Sequence, residues 1–309
     1  MPLLIVAIGV ALLLLLMIRF KLNGFIALIL VALVVGMMQG MPVNKVILSI
    51  KNGVGGTLGS LALIMGFGAM LGKLLADCGG AQRIATTLIE KFGKQYIQWA
   101  LVLTGFTVGF ALFYEVGFVL MLPLVFSIAA SARVPLLYVG VPMAAALSVT
   151  HGFLPPHPGP TAIATLFNAD MGKTLLWGTL LGIPTVILAG PVYARFLKSI
   201  DKPIPEGLYN PKTFSEEEMP GFGVSVWTAL VPVVLMALRA LAEMVLPKGH
   251  ALLPYAEFFG DPVMATLIAV LIAIFTFGLN RGRSMDEVMG TITDSIKIIA
   301  MMLLIIGGG

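Results

Sequence analysis

Residues 150–160 read THGFLPPHPGP and contain four prolines, two glycines and two of the chain's three histidines. Apolar runs at 136–149 and 161–167 flank this stretch. Proline cannot donate the backbone hydrogen bond that a helix interior needs, so a helix that enters the stretch must stop and restart. Inside a bilayer such a break occurs only where the freed backbone is buried in protein or lines a watery cavity. A membrane segment interrupted in this way is typical of a transporter binding site.

Composition places the chain in a membrane. Of its 309 residues, 59% are hydrophobic and 11% are charged, with a mean hydropathy of +1.02, whereas soluble domains carry roughly 25% charged residues. The net charge of +4 is spread over the loops, so we interpret it as a topology signal and not as a nucleic-acid footprint. The single Cys78 excludes an internal disulfide, and no Cys or His cluster has metal-site spacing. The sequence thus predicts a lipid-embedded protein without metal or cofactor.

The apolar segments predict an all-α polytopic fold. Stretches of spanning length occur at about 2–18, 22–40, 57–77, 174–197, 223–246 and 262–280, and a last one begins near 292. Residues 97–131 are largely apolar, which predicts a re-entrant hairpin with its tip at Tyr114–Glu115, or two tight spans. Residues 136–169 form one broken span. The Gly-x-x-x-Gly pairs at 55/59, 68/72, 105/109 and 178/182 predict close packing of helices.

Lysine and arginine residues predict the orientation. With alternating spans, one side receives Arg19, Lys21, Arg83, Lys91, Lys94, Arg133, Lys198, Lys202, Lys212, Arg281 and Arg283, and the other receives Lys45, Lys51, Lys173 and Lys248. Cytoplasmic loops carry the excess of basic residues. The N-terminus is therefore predicted to be periplasmic, and residues 198–222 are predicted to form a polar cytoplasmic linker.

The chain contains a weak internal repeat. A shift of 242 positions places Gly36, Gly40 and Val46 on Gly278, Gly282 and Val288. With the charge-derived topology the copies are inverted, as in many secondary transporters. The repeat divides the chain into a first membrane repeat (1–197), the linker (198–222) and the start of a second repeat (223–309). Because 223–309 contains no second hairpin or broken span, we expect the second repeat to be incomplete and the chain to be C-terminally truncated.

Glu115 is an acid well inside an apolar region. An ionisable residue at the centre of a membrane helix costs about 2.5–3.5 kcal/mol on insertion scales and usually marks a substrate or proton path. We therefore interpret Glu115 as a proton-coupling residue. The alternative is that Tyr114–Glu115 sits at a wetted hairpin tip and only caps the following helix.

His151 and His157 flank the predicted break. Histidine at such a place can relay a proton or donate to an anionic or hydroxylated substrate, which makes His151 a second proton-coupling candidate. Two histidines six positions apart without a third ligand do not form a zinc site. The alternative is that neighbouring carbonyl groups satisfy both rings.

Pro160 predicts the start of a second half-helix, because proline is well tolerated at the first helical position. Such a half-helix would direct unpaired N–H groups and its positive dipole end into a cavity. The alternative is a proline hinge without a ligand. The predicted substrate-binding residues are Tyr114, Glu115, His151, Gly152, Pro155, Pro156, His157, Gly159 and Thr161.

Four motifs carry a family resemblance: GVGGTLG at 53–59, FYEVGF at 113–118, HGFLPPHPGP at 151–160 and FSEEEMP at 214–220. They resemble the bacterial gluconate:proton symporter (gluconate permease) family over the whole chain. The resemblance implies uptake of D-gluconate or a related sugar acid with a proton across the inner membrane. It also implies an ion-transporter-superfamily architecture, with a re-entrant hairpin and a broken helix in each inverted repeat. The implied partners are a small sugar-acid anion and the lipid bilayer, with the proton as coupling ion.

Two other functions are compatible with the same residues. One is a membrane-embedded enzyme that uses Glu115, His151 and His157 for acid–base or metal chemistry, and the other is a passive anion channel. Metal content of the purified protein tests the first, and dependence of accumulation on a proton gradient tests the second. A homo-oligomer assembled through the helices outside the site is compatible with the repeat.

Overall fold

The computed structural model describes residues 2–200, 214–247 and 249–309. Within these ranges the regular secondary structure is entirely helical. The helices are α1 (Pro2–Leu14), α2 (Gly24–Met38), α3 (Val43–Asp77), α4 (Gly80–Phe92), α5 (Ile97–Gly109), α6 (Tyr114–Ala132), α7 (Leu136–Phe153), α8 (Pro158–Leu166), α9 (Met171–Ile187), α10 (Tyr193–Phe196), α11 (Phe222–Val245), α12 (Leu253–Phe259), α13 (Pro262–Ala273) and α14 (Met285–Gly308). Short π-helical segments extend α1, α9 and α13 at Leu15–Arg19, Leu188–Val192 and Ile274–Gly278.

Several helices have the length and composition of membrane spans. Among the described residues there are six such segments, and seven if the two parts of α3 are taken as one span. The six are Pro2–Arg19, Leu136–Leu166, Met171–Phe196, Phe222–Val245, Pro262–Arg281 and Met285–Gly308. The prediction of an all-α, multi-pass membrane protein is confirmed.

Two spans begin earlier than the sequence predicted. Helix α3 starts at Val43 and not near 57, since its glycine-rich part remains helical. Glycine lowers helix stability by about 1 kcal/mol per residue, but an open backbone in lipid costs several kcal/mol per unsatisfied group. Helix α14 starts at Met285 and not near 292, because Ser284 and Glu287 form a capping box in which each bonds the other's backbone N–H.

Residues 214–220, the described end of the predicted linker 198–222, are attached to helix α4. The Gln82 side chain donates to the Phe214 carbonyl (3.0 Å) and accepts the Phe214 N–H (3.1 Å). Arg83 donates to the Pro220 carbonyl (3.0 Å) and forms an ion pair with Glu216. The predicted linker residues 201–213 lie outside the described ranges.

The described helices form two compact units, one made of residues up to 63 with 296–309 and the other of 64–295. In the first unit α1 packs on α2 at Gly9, where an added Cβ would lie 2.7 Å from a Val35 methyl group. Asn23 begins α2 by accepting the Phe25 N–H (3.0 Å).

Helix α7 is central to the second unit, with α5, α6 and α9 packed on it. Gly105 of α5 lies against Ala146, where an added Cβ would approach the Ala146 Cβ to 2.9 Å. A Cβ at Gly109 would overlap the Thr150 hydroxyl. These small residues bring the end of α5 close to the end of α7.

Helix α9 packs antiparallel to α7. Gly178 lies against the Phe153 carbonyl, Gly182 against Val149, and Gly190 of the π-helical extension against Pro142. Residue numbers rise along α9 as they fall along α7, which fixes the antiparallel direction. The pairs at 105/109 and 178/182 thus have the packing role predicted for them. Of the other two pairs, only Gly72 lies against a neighbour, the Ala111 carbonyl, whereas an added Cβ at Gly55, Gly59 or Gly68 would meet no described atom within 4 Å.

Two turns, one in each unit, have the same local geometry. Gly40 follows α2 with φ +77° and Gly282 follows α13 with φ +76°, a region that side chains disfavour. An added Cβ on Gly36 would lie 2.9 Å from Val46 of the next helix, and one on Gly278 would lie 2.5 Å from Val288. The residues that the shift of 242 positions places on each other therefore occupy corresponding places in the two turns.

We expect Gly109→Ala to destabilise the protein, because the new methyl group overlaps Thr150 and overpacking costs about 1–3 kcal/mol. Thermal unfolding in detergent should show a lower midpoint than the parent. Gly68→Ala is the control, since a Cβ built there meets no described atom of another element within 4 Å. The double variant Gly109→Ala/Thr150→Ala should recover part of the loss, and an unchanged midpoint for Gly109→Ala alone would contradict the close crossing.

Candidate functional site

The predicted helix break is present. Helix α7 ends at Phe153, and the link Leu154–His157 leads into α8. The second half-helix begins at Pro158 and not at Pro160, which corrects the prediction. His157 has an extended conformation (φ −63°, ψ 150°), and its carbonyl accepts the Thr161 N–H (3.1 Å) as the first helical bond. Pro158 therefore takes the first helical position, which proline tolerates.

A second break separates α5 from α6. Helix α5 ends at Gly109 and α6 begins at Tyr114, so the connection is Phe110–Phe113 and not Tyr114–Glu115 as predicted. The Phe113 carbonyl accepts the Gly117 N–H (2.9 Å), which starts α6 directly after the connection. Glu115 is the second residue of α6; its side chain lies outside the described part of the structure.

The two histidines join the two breaks. Nε2 of His157 lies 2.6 Å from the carbonyl oxygen of Gly109, the last residue of α5. Nδ1 of His151 accepts the N–H of Tyr114, the first residue of α6, at 3.3 Å. Each histidine thus satisfies a backbone group at a helix end, where no partner exists within the helix. The ring centroids of the two histidines are 5.0 Å apart.

Two buried polar atoms at the start of α8 have no partner among the described residues: Nδ1 of His157 and Oγ1 of Thr161. His157 is 2% exposed and Thr161 is fully buried. A carbonyl oxygen only accepts, so Nε2 of His157 carries a hydrogen and Nδ1 of the neutral ring is an acceptor. An unsatisfied buried polar group costs about 1–3 kcal/mol. Native proteins leave few such groups, so these atoms indicate a place for a polar ligand.

The backbone amides at the two helix starts are partly bonded already. Pro158 and Pro160 have no N–H, and the Thr161 and Tyr114 N–H groups are already donated to His157 and His151. Only the amide of Gly159 remains at the start of α8. At the start of α6 the Glu115 and Val116 amides follow Tyr114 in the first turn, where no partner exists within the helix. The site therefore offers helix-start amides as well as side-chain atoms. Of the other predicted residues, Gly152 and Gly159 are exposed, and Pro155 and Pro156 are buried.

Two pockets lie on either side of the break. One of about 650 Å³ is lined by Gly152, Pro160, Asp170 and the first half of α9. The other, of about 760 Å³, is lined by Tyr114, by α7 before the break and by the region after Thr185. Because α9 is antiparallel to α7, the pockets lie toward opposite ends of these helices.

The sequence did not indicate the structural role of Phe113. Its ring packs beside both histidines, with centroid distances of 6.2 Å to His151 and 6.1 Å to His157. The only feature of the sequence that could have indicated this role is the position of Phe113 directly before Tyr114. The sequence also missed the ion pair of Asp170 with Arg239 (3.7 Å), which links the start of α9 to α11.

The described side chains contain no group of three or more His, Cys, Asp or Glu residues that could hold a metal ion. The polar atoms at the break are nitrogen and oxygen atoms of isolated side chains and backbone groups. The arrangement can bind a small polar ligand and exchange protons through the two imidazole rings.

Multiple apolar spans, two interrupted helices joined at a buried polar centre, and a pocket on each side define a membrane permease. The chain belongs to the GntP permease family, whose family model matches residues 1–309. The predicted family resemblance is confirmed, and so is the prediction of a transport protein and not an enzyme.

Three relatives illustrate the similarity. The chain is 86% identical to the high-affinity gluconate transporter of Escherichia coli K12 over 309 residues, covering all of this chain and 70% of the relative. It is 61% identical to the Gnt-II system L-idonate transporter of the same organism, again covering all of this chain and 70% of the relative. It is 47% identical over 322 aligned residues to a gluconate permease of Bacillus subtilis strain 168, covering all of this chain and 71% of the relative.

We expect His157→Ala to destabilise the protein, because it leaves the Gly109 carbonyl unsatisfied, at a cost of about 1–3 kcal/mol. His157→Gln retains an N–H donor in place of Nε2 and should unfold closer to the parent. Thermal unfolding in detergent compares the two variants. If the two variants lower the unfolding midpoint equally, packing of the ring against Phe113, and not the hydrogen bond, gives His157 its structural role.

Proposed function

We propose that this protein imports D-gluconate or a closely related sugar acid by proton symport across the bacterial inner membrane. Family membership and the gluconate and idonate transporters among its relatives support the substrate class. The observation that supports proton coupling is the buried, unpartnered Nδ1 of His157. The amide of Gly159 and the Thr161 hydroxyl lie on the same turn of α8.

Protonation of His157 couples the proton to the anion. A neutral ring presents an acceptor at Nδ1, and a carboxylate also only accepts, so the two repel each other. A proton on Nδ1 converts this atom into a donor of a charge-assisted hydrogen bond, which is stronger than a neutral one. Binding of the anion and of the proton therefore favour each other, and this reciprocal linkage is what symport requires.

His151 and His157 hold one proton between them. Two positive charges 5.0 Å apart would repel by about 3 kcal/mol at an effective dielectric constant of 20. Nδ1 of His151 is occupied by the Tyr114 N–H, so His151 exchanges a proton through Nε2. Glu115, the residue after Tyr114, is the proposed source of this proton. Co-transport of a proton offsets the anion's charge, which otherwise opposes entry by about 2.3 kcal/mol per 100 mV.

The two pockets provide the openings of an alternating-access cycle. The pocket at Pro160 and Asp170 faces the periplasm in the charge-derived topology, and the pocket at Tyr114 faces the cytoplasm. An inverted repeat supplies the symmetry for such a cycle, and the matching turns at Gly40 and Gly282 support it. In the same proposal the N-terminus is periplasmic and residues 214–220 are cytoplasmic.

We expect cells or proteoliposomes containing the full-length protein to accumulate labelled gluconate only while a proton gradient is present. A protonophore should abolish accumulation, because uphill movement depends on the proton. Unlabelled gluconate, idonate and fructuronate compete in parallel to rank the substrates. A passive anion channel would give a different result: gluconate would never accumulate, and its downhill flux would persist after the proton gradient is collapsed.

We expect His157→Gln and Glu115→Gln to reduce accumulation of labelled gluconate at least about tenfold, since each removes a proposed proton site and losing a hydrogen bond to a charged group costs about 1.5–3 kcal/mol. Gly68→Ala controls for expression in the same membranes. Parent-like accumulation in the stably folded His157→Gln variant would restrict His157 to its structural role. Parent-like accumulation in Glu115→Gln would remove Glu115 from the proton path.

A further inference from the structure

A groove on the second unit extends from the helix break along α7. It is the pocket of about 760 Å³ lined by Tyr114, by Val141, Ala144 and Ser148 of α7, and by Thr185 and Tyr193. Its wall beyond α9 includes part of the π-helical segment Leu188–Val192. A π-helical turn interrupts regular helix packing and frequently occurs at functional sites.

The groove follows the face of α7 that carries His151. Residues three or four positions apart share a helix face, and Val141, Ala144, Ser148 and His151 have this spacing. His151 binds the first N–H of α6 at Tyr114, which also lines the groove. The groove therefore shares Tyr114 with the site of the two histidines.

Four hydroxyl-bearing side chains line the otherwise apolar groove: Tyr114, Ser148, Thr185 and Tyr193. Ser148 is exposed to it and makes no hydrogen bond within the described part of the chain. The neighbouring Thr150, in contrast, donates to the carbonyls of Ala146 (3.1 Å) and Leu147 (2.9 Å). Thr185 donates to the Leu181 carbonyl (2.8 Å), which leaves its oxygen free to accept.

Hydroxyl groups at membrane depth need a polar partner, because hydrocarbon offers no hydrogen bonds. A polyhydroxylated carbon chain suits such a groove, since each of its hydroxyls both donates and accepts while its C–H groups contact apolar walls. An acyl chain of a lipid would leave the protein hydroxyls unsatisfied. The chemistry of the lining thus favours a sugar-derived ligand or water over lipid.

We propose that this groove binds the polyhydroxyl chain of the transported acid on the cytoplasmic side of the helix break. The proposal rests on the proposed function and extends it to Ser148, Thr185 and Tyr193, outside the predicted site. The groove reaches Tyr193, which is followed by the basic residues Arg195 and Lys198. Basic residues mark the cytoplasmic ends of membrane helices, so the groove is the inward half of the path.

Cysteine labelling tests this proposal in the full-length protein. Ser148→Cys and Thr185→Cys are compared in inside-out membrane vesicles with Ile183→Cys, which lies at similar depth on the other face of α9. The parent is the background control, because Cys78 is buried. We expect a membrane-impermeant, sulfonate-bearing thiol reagent to modify the two groove cysteines about tenfold faster than the control, since the reactive thiolate forms in water. Gluconate at ten times its dissociation constant should slow this modification about tenfold by occupancy.

Each alternative occupant gives a different result. Modification of Ser148→Cys by membrane-permeant N-ethylmaleimide alone would show that lipid fills the groove. No modification by either reagent would show that protein covers it. Either result overturns the proposal. The proposal is also overturned if the impermeant reagent modifies the groove cysteines equally fast with and without gluconate, in vesicles that transport gluconate. Protection by another sugar acid in vesicles that do not transport gluconate would support the groove and overturn the choice of gluconate.

Discussion

The structure of the second unit depends on one constraint: a broken helix in a membrane must find partners for the backbone groups it exposes. Hydrocarbon supplies none, so breaks are stable only where protein groups meet them. His157 reaches the last carbonyl of α5, and His151 accepts the first N–H of α6. Small residues between α5 and α7, Gly109 and Ala146 among them, permit the close approach that these bonds need. The two breaks therefore stabilise each other.

The same arrangement explains how one histidine has both a structural and a chemical role. An imidazole has two nitrogens, and the bond made by one fixes the state of the other. In His157, Nε2 is held by the Gly109 carbonyl, which leaves Nδ1 buried and without a partner among the described residues. A rigidly held ring with one open nitrogen is preorganised for a ligand, because little conformational freedom is lost on binding. The proposed coupling of proton and anion follows from this geometry.

Local features allowed much of the fold to be predicted. The length of an apolar stretch determines whether it can span a bilayer, because transfer of its side chains to lipid is favourable. The prolines determine the break at 154–157, because they lack the N–H that a continuous helix needs. Features that depend on contacts were misplaced or missed. The exact starts of α6 and α8, the continuous helix through Gly53–Gly59 and the attachment of Phe214 to Gln82 depend on partners distant in sequence. For the same reason the sequence pointed to the histidines but not to their partners.

The sequence by itself determined that this protein is an all-helical membrane permease with an interrupted helix rich in proline and histidine. Hydrophobicity and the missing N–H of proline are properties of the individual residue, so they can be read from the sequence without knowing which residues pack around it. Only the tertiary structure decided that buried side-chain atoms of His157 and Thr161 accompany the helix ends at the polar centre, and that the Tyr114 N–H is bonded to His151. It also decided which nitrogen of His157 is free, because an imidazole's donor and acceptor are assigned by what surrounds the ring.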